Sequence, residues 1–151
     1  MKNKLAATDE TFTLNAGDYW IGDPCYVFPS ERWLDFCALC DSNFLEDFGI
    51  KFFVCGTAYG DGFYSLKKKG IEVGGCGVDS GMLAIIPVAL LKRWKSKKGY
   101  TGKQDNFGGV FVTLEKDSEI EFNGNGNFEF GDFKMVTDDS DSDDDETEYN
   151  Y

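Results

Sequence analysis

Residues 119–130 read EIEFNGNGNFEF. On the N-terminal side Glu119-Ile120-Glu121-Phe122 alternates charge with apolar bulk, and Phe128-Glu129-Phe130 does the same on the C-terminal side. A period of two is that of a strand with one wet face and one buried face. Between the two runs Gly124 and Gly126 alternate with asparagines, the composition of a hairpin tip. The segment therefore predicts an antiparallel hairpin and, with it, a β-rich chain.

The rest of the sequence extends that pattern. Fourteen Phe, seven Tyr and three Trp among 151 residues suit pleated, half-buried surfaces. Short β signals occur at Thr11–Leu14 and Asp18–Ile21, and further runs begin at Lys51, Gly62, Gly70 and Gly108. Asp61-Gly62 between KFFVCGTAY and GFYSLKKK reads as a hairpin turn. Glycines at 70, 74, 75, 77 and 81 mark bulges, bends or close backbone approach. After Pro29, the stretch SERWLDFCALCDSNF places Trp33, Leu34, Cys37, Cys40 and Phe44 at helical spacing, with Ser30 as N-cap. A second short helix is expected over Val88–Trp94, just past Pro87. These elements predict an α+β fold: a mostly antiparallel sheet or partly open barrel with one amphipathic helix packed on it. Residues 1–9 read as a loose leader, 10–137 as one globular domain and 138–151 as an acidic tail.

Charge is unevenly distributed. The chain carries −12, yet Asp138, Asp139, Asp141, Asp143, Asp144, Asp145, Glu146 and Glu148 supply eight acids with no base among them. Without those eight, 19 acids face 15 bases, a body charge of −4. The tail has too little apolar surface to fold alone and has the density of an interaction segment. It suits a basic partner surface, nucleic-acid mimicry, folding back on Lys92–Lys103, or simple solubilisation. The longest apolar run, Met82–Leu91, is interrupted by Pro87 and is far shorter than the roughly 20 residues that span a bilayer. The N-terminal residues lack a secretory signal, so the five cysteines are expected as reduced thiols in a cytosolic protein.

The chain has no histidine, which excludes Ser-His-Asp and Cys-His catalytic pairs and any His-ligated metal within it. Remaining chemistry falls to carboxylates, thiols, tyrosines and lysines. Cys37-Ala38-Leu39-Cys40 has C-x-x-C spacing but no second pair for zinc. It lies inside the predicted helix, where two small side chains facing the core account for it. Asp23, Asp61 and Asp79 each sit in a turn setting, GDP, GDG and VDSG, a placement that would let each end a strand at the same edge of a sheet. Converging, they would hold Mg²⁺ or Ca²⁺ or provide acid–base catalysis. As turn residues, they would only hydrogen-bond nearby backbone, and this reading is preferred. Cys25 is a candidate nucleophile without a visible base. Lys92, Arg93, Trp94, Lys95, Lys97, Lys98, Tyr100 and Lys103 interleave cations with rings, as a single-strand nucleic-acid groove or a tail-docking site requires. A solvated helix end would look the same. No cofactor is expected outside the aspartate reading.

Three motifs in order, YWIGDPCYVF, TAYGDGFY and GVDSGMLAIIP, resemble an uncharacterised family of small proteins, many encoded by bacteriophages. The resemblance covers residues 17–87 and departs at Ser80, where alanine is expected. It implies that Gly22, Asp23, Pro24, Cys25, Tyr26, Asp61 and Asp79 belong to a shared framework, and it brings no activity. It implies a phage origin and action on host machinery. Together with the acidic tail this leads to the expectation of an accessory protein, more a binder than an enzyme, that inhibits or modulates a host or defence protein in the host cytosol. A small aspartate-based enzyme or ligand-binding domain is the alternative, and a virion component a third.

Overall fold

The structure is a computed structural model that describes residues 5–7, 13–39, 42–96, 109–123 and 126–137. Its frame is two six-stranded antiparallel sheets. In chain order the strands are β1 (Ala6–Ala7), β2 (Thr13–Leu14), β3 (Gly17–Gly22), β4 (Phe44–Asp47), β5 (Ile50–Gly56), β6 (Gly62–Lys68), β7 (Ile71–Val78) and β8 (Met82–Pro87). β9 (Gly109–Leu114), β10 (Ser118–Phe122), β11 (Phe128–Phe130) and β12 (Phe133–Met135) follow, with helices α1 (Ser30–Ala38) and α2 (Val88–Lys95) in between. The first sheet runs β1-β4-β5-β8-β3-β9 and the second β2-β10-β11-β12-β6-β7. The fold is thus α+β and mostly antiparallel; its strands form two sheets where one sheet or a partly open barrel was expected, and the second helix expected just past Pro87 is α2.

Side-chain alternation explains the layering. Along β8, Leu83 and Ile85 point into the core between the sheets, while Ala84 and Ile86 point to the opposite face beneath the helices. β5 divides likewise, with Phe53 and Cys55 on one side and Phe52 and Val54 on the other. Strands buried on both faces read as continuous apolar runs, as MLAIIP and FFVC do. In the second sheet only one face is buried: Leu66, Phe128, Phe130, Phe133 and Met135 point inward. Phe128 and Phe130 flank the outward Glu129, and the hairpin expected over 119–130 forms with Phe122 opposite Phe128.

Four expectations are corrected. Asp61-Gly62 does not close a β5–β6 hairpin: β4 and β8 take both edges of β5, and β6 pairs with β7 and β12. Residues 57–61 therefore cross from one sheet to the other. Two tight turns lie instead at Phe48-Gly49 and Lys69-Gly70, where all four residues have positive φ (55°, 77°, 53° and 84°), the requirement of a two-residue hairpin loop matched to strand twist. Helix α1 stops at Ala38, Pro29 takes its cap position, and Phe44 belongs to β4. Its inward stripe is Arg32, Trp33 and Phe36; Leu34 is 79% exposed and Cys37 is exposed, so Cys37 does not face the core, while Cys40 lies outside the described residues. Within the stretch read as a leader, Ala6–Ala7 pair with β4 and Leu5 is buried.

Candidate functional site

The site grows from the end of β3. After Gly22 the chain turns at Asp23, which caps a single 3-10 turn over Pro24–Tyr26. Proline suits this first position because it has no N–H to leave unpaired. The Asp23 carboxylate is fully buried. Its Oδ1 accepts from the Cys25 N–H at 2.8 Å and the Ser80 hydroxyl at 2.6 Å. Its Oδ2 accepts from the N–H groups of Asp79 and Ser80 at 2.6 and 2.7 Å. A carboxylate has about four acceptor positions, so Asp23 is saturated. It ties the end of β3 to the 79–81 crossover that carries the chain from β7 to β8.

The second crossover lies beside the first. Gly62 pairs with Val78, which puts Asp61 and Asp79 at neighbouring strand ends, and the Thr57 N–H donates to the Gly81 carbonyl at 2.9 Å. The three aspartates read from the sequence do come together. Asp79 is exposed and accepts a short hydrogen bond from the Tyr26 hydroxyl. That bond, with burial and the nearby negative charge, pushes the Tyr26 phenol well above its ordinary range. Burial, reinforced by the charges of Asp23, Asp79 and Asp61, pushes the Cys25 thiol up to about 12.

This arrangement limits the chemistry. At neutral pH Cys25 is a thiol, and the surrounding charges oppose the thiolate that a nucleophile requires. Asp23 has no lone pair left for a cation or a substrate proton. Among the described residues no three His, Cys, Asp or Glu side chains are grouped so as to hold a metal ion. What the cluster does is join both crossovers to the end of β3.

A second buried carboxylate was not anticipated. Asp47, at the end of β4, is fully buried, with Arg32 Nε at 3.2 Å and the Trp94 indole N–H donating to Oδ2 at 2.8 Å. The signal was present in the sequence: Leu45 and Asp47 alternate onto one face of β4, so an acid there needs a buried partner. The guanidiniums of Arg32 and Arg93 lie 4.8 and 4.6 Å from the Phe48 ring centre, which braces this residue in its left-handed conformation. Trp94 is correspondingly removed from the basic groove read from the sequence. Leu90, Leu91 and Trp94 form the inward face of α2, so the ring is core and not a stacking platform. Lys92, Arg93 and Lys95 are exposed in the last turn of α2, where cations favour the helix end. Lys97, Lys98, Tyr100 and Lys103 lie outside the described residues, as do the acids of 138–148.

The last described residue is fixed. Thr137 is buried, its hydroxyl accepting from the Ala58 N–H at 3.0 Å and donating to the Gly126 carbonyl at 2.8 Å. Its own N–H donates to Asn127 Oδ1 at 2.8 Å. The acidic segment thus starts beside the 57–61 crossover. No helix among the described residues is long and apolar enough to cross a membrane. Against known proteins, the chain matches no family model, no curated protein and no solved structure.

Proposed function

We propose that this chain is a phage-type accessory protein that acts by binding, and that residues 138–148 engage a basic surface on a host or defence protein in the host cytosol. The observation that carries the reading is the segregation of charge. Eight acids without a base follow directly on a sandwich whose body charge is −4. Dense exposed carboxylates suit a surface of lysines and arginines, including one that otherwise holds nucleic-acid phosphates. The phage assignment rests on the three sequence motifs.

The geometry of the aspartate cluster supports binding over catalysis. Asp23 is consumed by four protein donors, and Cys25 is held protonated. The alternative of an aspartate-based enzyme or cation site draws no support from these contacts.

The test is capture of host proteins by the full chain and by a variant with the eight tail acids changed to Asn or Gln. A basic protein retained by the wild type at about 0.01 M salt, released as the Debye length shrinks to about 8 Å near 0.15 M, and absent from the variant supports the proposal. Identical captures by both chains would overturn it.

A further inference from the structure

The two outer faces of the sandwich differ. Helices cover the first sheet, while the second sheet's outer face has no described element across it. Strand register arranges a row of charges over that bare face: Glu121 opposite Glu129, Glu129 opposite Lys134, Lys134 opposite Lys67, and Lys67 opposite Glu72. Its centre is a like-charge pair. Directly opposed like charges on adjacent strands are destabilising. Among the described residues neither lysine lies within 4.0 Å of a carboxylate; the ion pairs found there are Arg32–Asp47 and Lys69–Asp132.

Beside this pair runs a groove of about 640 Å³, lined by Tyr59, Phe63, Ser65, Lys67, Lys134 and Thr137 among others. Phe63 is 68% exposed and Tyr59 62% exposed. The Phe63 ring packs flat over Gly75, where a β-carbon would fall 2.1 Å from it, so the glycine is what lets the ring lie down on the sheet. One end of the groove is Thr137, after which the acidic segment begins.

We infer that this groove is the docking site of the chain's own residues 138–148, with their carboxylates seated on the Lys67–Lys134 pair. Position, reach and charge all favour this occupant. Phe63 and Lys67 are four residues apart on one strand face, roughly 13 Å at about 3.3 Å per residue. β12 carries the chain away from the lysines, with Lys134 opposite Lys67 and Met135 opposite Leu66, so the segment must reverse after Thr137. A tight turn followed by about four extended residues spans that length and brings the Asp141–Asp145 run over the two lysines. The competing basic surface at Lys92 is farther away. It lines a recess with Gly49, Ile50 and Lys51, at the opposite end of β5 from Gly56, and β5 is about 23 Å long. A tethered ligand is most concentrated near its attachment point. Exposed ion pairs are individually weak, so the docked segment exchanges readily and yields to a more basic surface. Docking therefore makes the sandwich a competitor for the tail, and it requires no external partner to exist.

The experiment compares NMR spectra of the full chain with those of a full-length variant carrying Asp141→Asn, Asp143→Asn, Asp144→Asn and Asp145→Asn. At about 0.01 M salt the inference predicts shift differences at Phe63, Ser65, Lys67 and Lys134, shrinking several-fold by about 0.15 M. Changing Lys67 and Lys134 to Gln in the wild-type background should abolish the differences that the tail substitutions produce. The tail variant leaves the sandwich untouched, so the comparison survives even if the lysine variant folds poorly. Groove signals identical in the wild type and the tail variant would overturn the inference, as would differences centred on Lys92, Arg93 and Lys95. Either result leaves the capture of an external partner to be decided by its own experiment.

Discussion

Asp23 and Asp47 are both fully buried carboxylates at strand ends, yet they are held in different ways. Asp23 is surrounded by backbone N–H groups and one hydroxyl, donors supplied by the turns it holds together. Asp47 is held by the side chains of Arg32 and Trp94, which come from two helices. The first carboxylate fastens the crossovers, and the second fastens the helical layer to the sheet. The difference teaches that burial of an acid does not by itself indicate chemistry. The acceptor positions of Asp23 are taken up by its own turns, and Asp47 is paired with two side chains of the helical layer.

Four outcomes would break or sharpen that contrast. The largest effect is expected for Asp23→Ala, which strands three backbone N–H groups and a hydroxyl. Urea unfolding should show a loss of about 4 kcal/mol, and a loss under about 1 kcal/mol would mean the turns hold without it. Asp47→Ala leaves a guanidinium that is only 14% exposed without its acid, and should cost about 3 kcal/mol in the same assay.

Alkaline pH comes next. Burial pushes the Cys76 and Cys55 thiols from 9.0 up to about 12, with the Asp23 charge adding to the shift at Cys76. A folded-state value above the unfolded one means that the native chain keeps protons the unfolded chain releases. Stability is then intact below pH 9.0 and falls as pH rises toward about 12, by about 1.4 kcal/mol per pH unit for each thiol. Unfolding midpoints measured from pH 8 to 11 check this, and a Cys76→Ser variant should remove its own share of the slope while Cys55 and, more weakly because it is less buried, Cys25 keep theirs. The smallest change separates the two carboxylates most cleanly. Asp47→Leu combined with Arg32→Met removes both charges and should recover much of the loss, leaving a deficit of about 1–2 kcal/mol because the Trp94 indole N–H loses its acceptor. No such rescue exists for Asp23, whose partners are mostly backbone.

Much of the fold was legible from local pattern. The 119–130 hairpin and the helix after Pro87 followed from alternation and proline placement, because each is decided by neighbours in sequence. What failed was non-local. Asp61-Gly62 signals a turn but does not reveal which sheet each flanking strand joins, and β5 had its edges filled by β4 and β8. The Phe48-Gly49 turn puts a phenylalanine in a left-handed conformation, tolerated where two arginines from separate helices stack on its ring. Trp94 read as part of a basic groove because its neighbours in sequence are lysines and arginine, whereas Leu90, Leu91 and helical spacing bury it. At the site, the turn reading of Asp23 accounts for its bond to the Cys25 N–H, whereas the other three donors belong to Asp79 and Ser80, far along the chain. Its meeting with Asp79 depended on the pairing of Gly62 with Val78, which no local pattern encodes.

The measurement that bears most directly on function sets two full-length variants against the wild type in one salt-resolved capture experiment. One has the eight tail acids neutralised, and the other carries Asp79→Asn, which removes a charge from the aspartate cluster while leaving the Asp79 N–H to Asp23. The binding reading predicts that the neutralised tail loses the basic partner and that Asp79→Asn retains it, with release by salt. Retention by the neutralised tail together with loss in Asp79→Asn would contradict it and return the function to the aspartates.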